Sequence, residues 1–574
     1  MPLGDRFPVN RRWFVMRTNA EYVSYLSRAA SVSPTVAQIL INRGVKTPEQ
    51  VSAFLGRGLT DLSDPMAMAG VAEAVEVIGG AARSGSPVLV HGDYDADGTT
   101  AAAIMCEALA SAGIKAHCYI PDRFAEGYGF SPLAVERARE LGAGLIITVD
   151  CGISSFDSAR LARQKGIGLI ITDHHEPDVK GGLPVLPEAL AVINPKVSDP
   201  GAASLSGAGV AFKLAAALAA RGVARMDPGD LLDLAALGTL ADSVPLTGEN
   251  RVIVREGLLR IASSRRPGVR ALKAVAGVDG RPMRAELLAF TLLPRMNAAG
   301  RMAQARDVVD LLLSASEGRA GELASALDAW NSERQRTEEE VSAEAFAMAE
   351  KKGGGPAIVL ASPGWHEGVI GIVASRVVER YNRPAFVLTV KGDEAKGSAR
   401  SIPGFDVHGG LAGCRDILLS YGGHRQAAGL RLRTADLARF EERISEAVAR
   451  EVRDFTPSLH IDAQVSLRDV NFNLVNEIEA LGPFGSGNPA PLLGSRGLQA
   501  VEPRVVGNNH LKLRLKARSR VLDAIGFDMG GLCAAVEDSA TVDAAFVATI
   551  NEWEGGRTLQ LNLKALRPGS GQAS

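Results

Sequence analysis

Cysteine is scarce in this chain of 574 residues: five in all (Cys106, Cys118, Cys151, Cys414 and Cys533), none in a Cys-x-x-Cys pair. That usage argues against a zinc ribbon and a disulfide framework, and predicts a reducing cytoplasm as the setting. Long apolar runs are missing as well. None approaches the ~18–20 residues that cross a bilayer, and the amino terminus has no apolar signal core, so neither export nor a membrane partner is expected. Aromatic residues make up only 5% of the chain, which favours backbone contact over base stacking as a binding device. Charge of one sign is not in excess either: the net charge is −2, so any polyanion-binding surface must be local. No internal repeat or extended low-complexity tract is visible.

What the chain has is length, too much for one core and enough for three or four domains. It also has one dense polar motif. His91-Gly-Asp93-Tyr-Asp95-Ala-Asp97-Gly98 follows the apolar run Val88-Leu-Val90 and precedes an Ala-rich helical segment. Alternate residues of an extended turn point the same way, which predicts that Asp93, Asp95 and Asp97 converge. Carboxylates packed that closely repel one another unless a cation neutralises them, and oxygens with one imidazole suit Mn²⁺ or Mg²⁺. An EF-hand opens on the same Asp-x-Asp-x-Asp-Gly but needs a Glu further on, where this chain has Ile104. A plain acidic turn is the other alternative.

The following segments decide between them. Gly144–Val149 is a second apolar run and ends in Asp150-Cys151-Gly152; Gly168–Thr172 is a third and ends in Asp173-His174-His175. The helical Leu231–Leu240 then delivers Asp242. Acid or imidazole groups at the carboxyl ends of three successive strands mark the ligand side of an open parallel sheet. Hydrogen-bonded core histidines are the bland alternative for the His pair.

In that order, HGDYDADG, VDCG, TDHH and ADS resemble the four phosphoesterase motifs of the DHH superfamily. The resemblance implies two Mn²⁺ (or Mg²⁺) ions sharing a bridging aspartate. It implies His91, Asp95 and Asp150 at one ion and Asp97, Asp150, His174 and Asp242 at the other. His175 would face the scissile phosphate, with Asp93 a near-site acid. Two ions a few ångströms apart activate a water for in-line attack, and no motif supplies a covalent nucleophile. His175 then serves as general acid or electrostatic stabiliser.

The pattern predicts a multidomain α/β protein with these boundaries: a helical extension over 1–65, a doubly wound parallel-sheet domain over 66–305, a long charged connecting helix over 306–355, a smaller α/β domain over 356–452 and a β-rich tail over 453–574. In the smaller domain, Gly397-Ser398-Ala-Arg400 presents a hydroxyl and a guanidinium on one side of a strand. Gly422-Gly423-His424 begins a small-residue loop that admits close approach. Together they resemble the DHH-associated domain, which grips substrate. A surface salt bridge for Arg400 and a capping imidazole for His424 are the plain alternatives. In the tail, His510-Leu-Lys512-Leu-Arg514-Leu-Lys516-Ala-Arg518-Ser-Arg520 alternates cationic with apolar residues. That suits a strand lying on a core and tracking a phosphate backbone, within an OB-like β-barrel. A solvated edge strand guarded by charge is the alternative.

With these parts in order, the chain resembles the RecJ family of bacterial exonucleases over nearly its whole length. The resemblance implies hydrolysis of single-stranded DNA from the 5′ end, releasing mononucleotides, in recombination and repair. It implies Arg123 at the terminal phosphate and Arg295 and Arg301 at the DNA backbone. It also implies a monomer served by a single-strand-binding protein and a helicase. Two other readings stand beside it: a DHH phosphodiesterase for short oligonucleotides or cyclic dinucleotides, and a non-enzymatic DNA-binding adaptor that has lost its metals. The first would lack the tail, and the second would show replaced ligands, of which there are none.

Overall fold

The computed structural model describes residues 11–198, 205–553 and 556–569. They form two compact units, of which one comprises Ser63–Val244 and Glu256–Phe455. Its first half is a five-stranded parallel sheet in the order Ala116–Tyr119, Val88–His91, Leu145–Val149, Gly168–Thr172, Ala191–Ile193. Val88–His91 and Leu145–Val149 are buried at every position. Both faces of a parallel sheet are covered, which is why these strands read as apolar runs without alternation. The chain leaves Val88–His91 for one neighbour and returns on its other side as Leu145–Val149. The carboxyl ends of these two strands therefore flank the switch point, where open α/β sheets hold their ligands.

Helix Ala96–Ser111 starts from the first motif and is buried almost throughout. Its small side chains let helices Gly207–Ala220 and Leu232–Ala241 approach closely. A Cβ on Gly238 would stand 2.3 Å from Thr100 Oγ1 and 2.4 Å from Ala208 Cβ, so only glycine fits there.

The second half of this unit is a mixed five-stranded sheet ordered Leu418–Gly423, Ala427–Arg433, Glu394–Arg400, Ala385–Lys391, Ile358–Ser362. Only the last pair is parallel. One face packs Phe386, Leu388 and Ala399 on Phe405, Phe440 and Ile444. The other packs Leu360 and Val387 on helix Ile370–Tyr381 and on Val341 and Ala345 of the long helix Glu317–Lys351. That helix has 35 residues, about 52 Å at 1.5 Å per residue. Its first half lies on Pro267–Val275 and Leu292–Met302 and its second on Ile370–Tyr381, so it splints the two sheets. Among the described residues no single helix is long and apolar enough to cross a membrane.

The other unit joins Met1–Leu62, Pro245–Arg255 and Thr456–Ser574. Strands Leu493–Val506, His510–Ala517, Arg520–Gly526, Gly556–Pro568 and Val542–Trp553 follow one another, and the last pairs back to the first, closing a five-stranded barrel. The amino-terminal helices belong to this unit. Pro34–Asn42 starts at Ser33, whose Oγ accepts from Val36 N, and Pro48–Gly56 starts at the Thr47–Gln50 capping box. Their apolar faces, with Leu26, Ile39, Leu40 and Val51, share one core with Ile478, Leu513 and Phe546.

Candidate metal centre and phosphate cradle

The helix that begins at Ala96 decides how the first motif is displayed. Asp95 is its N-cap, its Oδ1 accepting from Gly98 N at 3.0 Å. Asp97 already lies in the first helical turn, so the alternation expected of an extended stretch stops there. The three carboxylates therefore divide. Asp93 and Asp95 join Asp150 in one group whose ligand atoms lie within 4.8 Å of one another; Asp97 joins His174 and Asp242 in a second; Asp150 with His174 and His175 forms a third. His174 Nε2 stands 3.1 Å from Asp150 Oδ1, 3.6 Å from Asp242 Oδ2 and 3.9 Å from Asp97 Oδ2. Asp97 is held by Gly207 N at 2.7 Å and Ala208 N at 2.9 Å, the amino end of helix Gly207–Ala220. Asp150 sits at φ +61° and presses on Gly207, where a Cβ would come within 2.4 Å of its side chain.

His91 joins none of these groups among the described residues. Its ring is fully buried, stacked on Tyr119 at 5.5 Å and edge-on to Phe130 at 5.3 Å, with Nδ1 3.5 Å from Cys151 Sγ. Burial pulls its pKa down to about 4.

The centre carries more negative charge than it can hold alone. Burial first, and then repulsion from neighbouring carboxylates, pushes Asp93, Asp97 and Asp150 well above the usual range. Burial and the charge of His175 take His174 down to about 4, which leaves a neutral imidazole with a lone pair. His91 Nε2 and Asp93 Oδ1 are buried without a hydrogen-bond partner, and Asp150 Oδ1 is buried with only the His174 ring, at 3.1 Å, beside it. Orphaned oxygens among crowded acids are what divalent cations relieve, so the donor set fits Mn²⁺ or Mg²⁺.

Two residues at the centre carry no ligand signature in the sequence. Asp173 is fully buried and accepts from Ile153 N, His174 N and His175 N, and its Oδ1 lies 2.7 Å from His175 Nδ1. Burial alone would raise Asp173; the hydrogen bonds, led by that of His175, hold it below the usual carboxylate value. Asp173 in turn raises His175 against the effect of burial. Tyr128 OH lies 2.9 Å from the same Nδ1. It is delivered by a loop whose flanking Gly127 and Gly129 sit at φ +83° and +101°. The signals available for these two were the first residue of the Asp-His-His triplet and a tyrosine set between two glycines.

Beside the carboxylates lies a group of guanidiniums. Arg123 stacks over the Tyr94 ring at 4.8 Å, and its charge reaches both Arg301 and Arg400. Burial, then Arg123, takes Arg301 down to about 10 and lowers Arg400. Arg400 Nη1 donates to Ser398 Oγ at 3.0 Å, the two residues sharing one face of strand Glu394–Arg400. The first turn of helix Ile370–Tyr381 faces them without a side-chain cap: a Cβ on Gly371 would meet Ser398 Oγ at 3.1 Å and Arg400 Nη2 at 3.2 Å. Arg301 is tied to Gly368 O at 3.1 Å. Arg295 is engaged elsewhere, with Asp328 of the long helix at 2.8 Å and the Thr291 carbonyl at 2.7 Å.

His424 lies in the turn between Leu418–Gly423 and Ala427–Arg433, near enough to His175 for that charge, after burial, to lower its pKa. Gly423 has φ +135° and a Cβ there would strike Ala427 O at 2.4 Å, whereas Gly422 faces open space. On the tail strand, Leu511, Leu513 and Leu515 are buried and Lys512, Arg514 and Lys516 lie outward. Arg514 pairs with Glu502. The strand ends at Ala517: Arg518 occupies the turn at φ +51° and Arg520 opens the returning strand.

Family models match residues 87–239 as the DHH family N-terminal domain, 337–450 as the DHHA1 domain and 461–565 as the RecJ OB domain. The chain is 39% identical over 564 residues to the single-stranded-DNA-specific exonuclease RecJ of Bacillus subtilis, covering 96% of this chain and 70% of that one. It is 36% identical over 573 residues to RecJ of Escherichia coli, covering 94% and 96%. Its fold is similar to the crystal structure of RecJ in complex with Mn²⁺ from Thermus thermophilus, with a TM-score of 0.85, 32% identity and coverage of 98% and 80%. By its domain order, its motifs and these similarities, the chain belongs to the RecJ family.

Proposed function

We propose that this protein is a single-stranded-DNA-specific exonuclease. It hydrolyses phosphodiester bonds from the 5′ end with two divalent ions and releases 5′-mononucleotides in DNA recombination and repair. The single observation that carries the chemistry is the gathering of Asp93, Asp95, Asp97, Asp150, His174 and Asp242 at one switch point. RecJ of Thermus thermophilus has been crystallised with Mn²⁺ and with Mg²⁺. Here Asp93, Asp95 and Asp150 would hold one ion and Asp97, Asp150, His174 and Asp242 the other, with Asp150 shared. Asp93 thus takes the part that sequence reasoning gave to His91, because its oxygen lies with Asp95 and Asp150.

A bound pair of such ions supplies an activated water and neutralises charge at the attacking and leaving oxygens. The rest falls to side chains. Asp173 and Tyr128 both engage Nδ1 of His175, which leaves Nε2 to hold a proton for the leaving oxygen. Arg123, Ser398, Arg400 and the uncapped first turn at Gly371 form a cradle for a terminal phosphate. A monoester carries more charge and one more free oxygen than an internal diester, and guanidinium pairs with it bidentately. The end is thereby distinguished from the middle of a strand. His424, within reach of the His175 charge, would contact the strand near the ions, and Lys512, Lys516 and Arg518, with Arg514 when it leaves Glu502, would contact the rest of the strand. The reading extends to a cytoplasmic monomer that receives single strands through a helicase and a single-strand-binding protein.

The test is the product pattern of single strands labelled at either end. With Mn²⁺, a 5′ label should appear at once as mononucleotide, while a 3′ label runs down a ladder of shortening strands; chelation should stop both. Release of the 3′ label first would overturn the assignment.

A further inference from the structure

An end-binding site needs somewhere to put the first base. Aromatic side chains are scarce in this chain, yet three stand around the cradle: Tyr94, Phe124 and Tyr128. Two are already occupied. The Tyr94 ring is covered by the Arg123 guanidinium at 4.8 Å, and the Tyr128 ring meets His175 at 5.5 Å with its hydroxyl on Nδ1. Phe124 is the neighbour of Arg123 in sequence, and the residue is 42% exposed. Its ring is buttressed edge-on by His366, at 5.9 Å and 80°. His366 belongs to the loop that runs into Gly371, so the pair is flanked by cradle elements on both sides.

The platform is held rigidly. Asp122 Oδ1 accepts from Phe124 N at 2.8 Å and Ala125 N at 2.9 Å, and Glu126 anchors the turn through Asp122 N at 3.0 Å and Tyr119 OH at 2.8 Å. A pre-formed flat apolar face loses little entropy on binding, and a base stacks on it whatever its identity.

We infer that the exposed face of Phe124, braced by His366, is the subsite for the nucleobase of the 5′-terminal nucleotide. The inference rests on the reading of Arg123, Ser398 and Arg400 as the terminal-phosphate cradle. The end would then be recognised twice, by its phosphate and by its base.

The experiment compares kcat/KM on two 5′-phosphorylated single strands, identical except that one carries a tetrahydrofuran abasic residue at its 5′ terminus. For the wild-type protein the abasic strand should be poorer by on the order of 10-fold, the range of a base–aromatic stack. Phe124→Ala should lower the normal strand to the abasic level and leave the abasic strand unchanged; Phe124→Tyr should keep the wild-type difference. Equal losses on both strands in Phe124→Ala would make the ring a mere brace between loops and overturn the subsite. So would a wild-type protein indifferent to the missing base. Failure of the underlying reading is seen separately: Arg400→Ala would then treat 5′-phosphate and 5′-hydroxyl strands as the wild type does, and no ssDNA hydrolysis at all would remove the exonuclease itself.

Discussion

Asp150 occupies the left-handed region at φ +61°, which costs most side chains energy and Asn and Asp least. The strain turns its carboxylate back toward Asp93 and His174 instead of letting the chain continue past the sheet. Asp150→Asn keeps the backbone preference and removes the charge, so it tests the shared-ligand role without a folding penalty. Turnover should fall by more than the 10–100-fold typical of a residue that only supports a ligand, while binding of single strands persists; near-normal hydrolysis in Mn²⁺ would sink the two-ion centre. The neighbouring pair discriminates more finely. If Asp93 is the ligand, Asp93→Asn should raise the Mn²⁺ concentration needed for half-maximal activity more than His91→Gln does, and the reverse order would return the site to His91. Such a choice was beyond the sequence. Spacing put three carboxylates in one motif, but which of them share a side depends on where the helix begins, and Asp95 caps it. Asp173 and Tyr128 escaped for a different reason: their roles come from hydrogen bonds to His175 Nδ1, which no spacing encodes.

Strands and helices were more legible than side-chain partners. The apolar runs 88–90, 144–149 and 168–172 are buried parallel strands because covered faces remove alternation, and the carboxyl-end rule then located the centre. The tail strand was legible only up to Ala517; beyond it the strict alternation belongs to a hairpin, with Arg518 in the turn and Arg520 on the next strand. The Arg295 pairing was illegible for a like reason, since Asp328 comes from a helix that the sequence could not dock. Two predictions belong at this scale. Removing the guanidinium from strand Glu394–Arg400 by Arg400→Ala should cost 5′-phosphorylated strands about 10- to 100-fold, the worth of a charged bidentate bond, and 5′-hydroxyl strands much less. Equal losses would move Arg400 to the general backbone track. Neutralising Lys512, Lys516 and Arg518 should flatten the dependence of log affinity on log salt by about 0.7 per lost phosphate contact. An unchanged slope would make the strand a solvated edge, with Arg514 held by Glu502 as the pattern for its neighbours.

For the whole molecule, the metal centre is a liability to folding that its ions should remove. Asp93, Asp97 and Asp150 have folded pKa values raised above 3.8. Between the ordinary and the raised values the folded state binds more protons than the unfolded one, so stability falls as pH rises through that window. His175 acts in the same direction: its raised value contributes stability below pH 6.5 that is lost as pH climbs through the folded pKa. Asp173, held below 3.8, contributes stability that stays constant above that value and is lost only in stronger acid. His91 and His174, lowered to about 4, act the opposite way to the raised carboxyls and add stability as pH rises toward 6.5. The metal-free protein should therefore melt at progressively lower temperature once pH climbs above about 7, where those two rings are neutral in both states. Mn²⁺ competes with those protons and stabilises the folded state by mass action, more strongly as the carboxyls ionise. The gap in Tm between Mn²⁺-loaded and chelated protein should consequently widen with pH there, by several degrees. In Asp150→Asn, with the shared carboxylate gone, both the fall and the gap should shrink together. A chelated wild type whose Tm holds level or rises toward the alkaline end would mean that the carboxyls are ionised and paired without metal, and that the crowding at the switch point is not what draws the ions in.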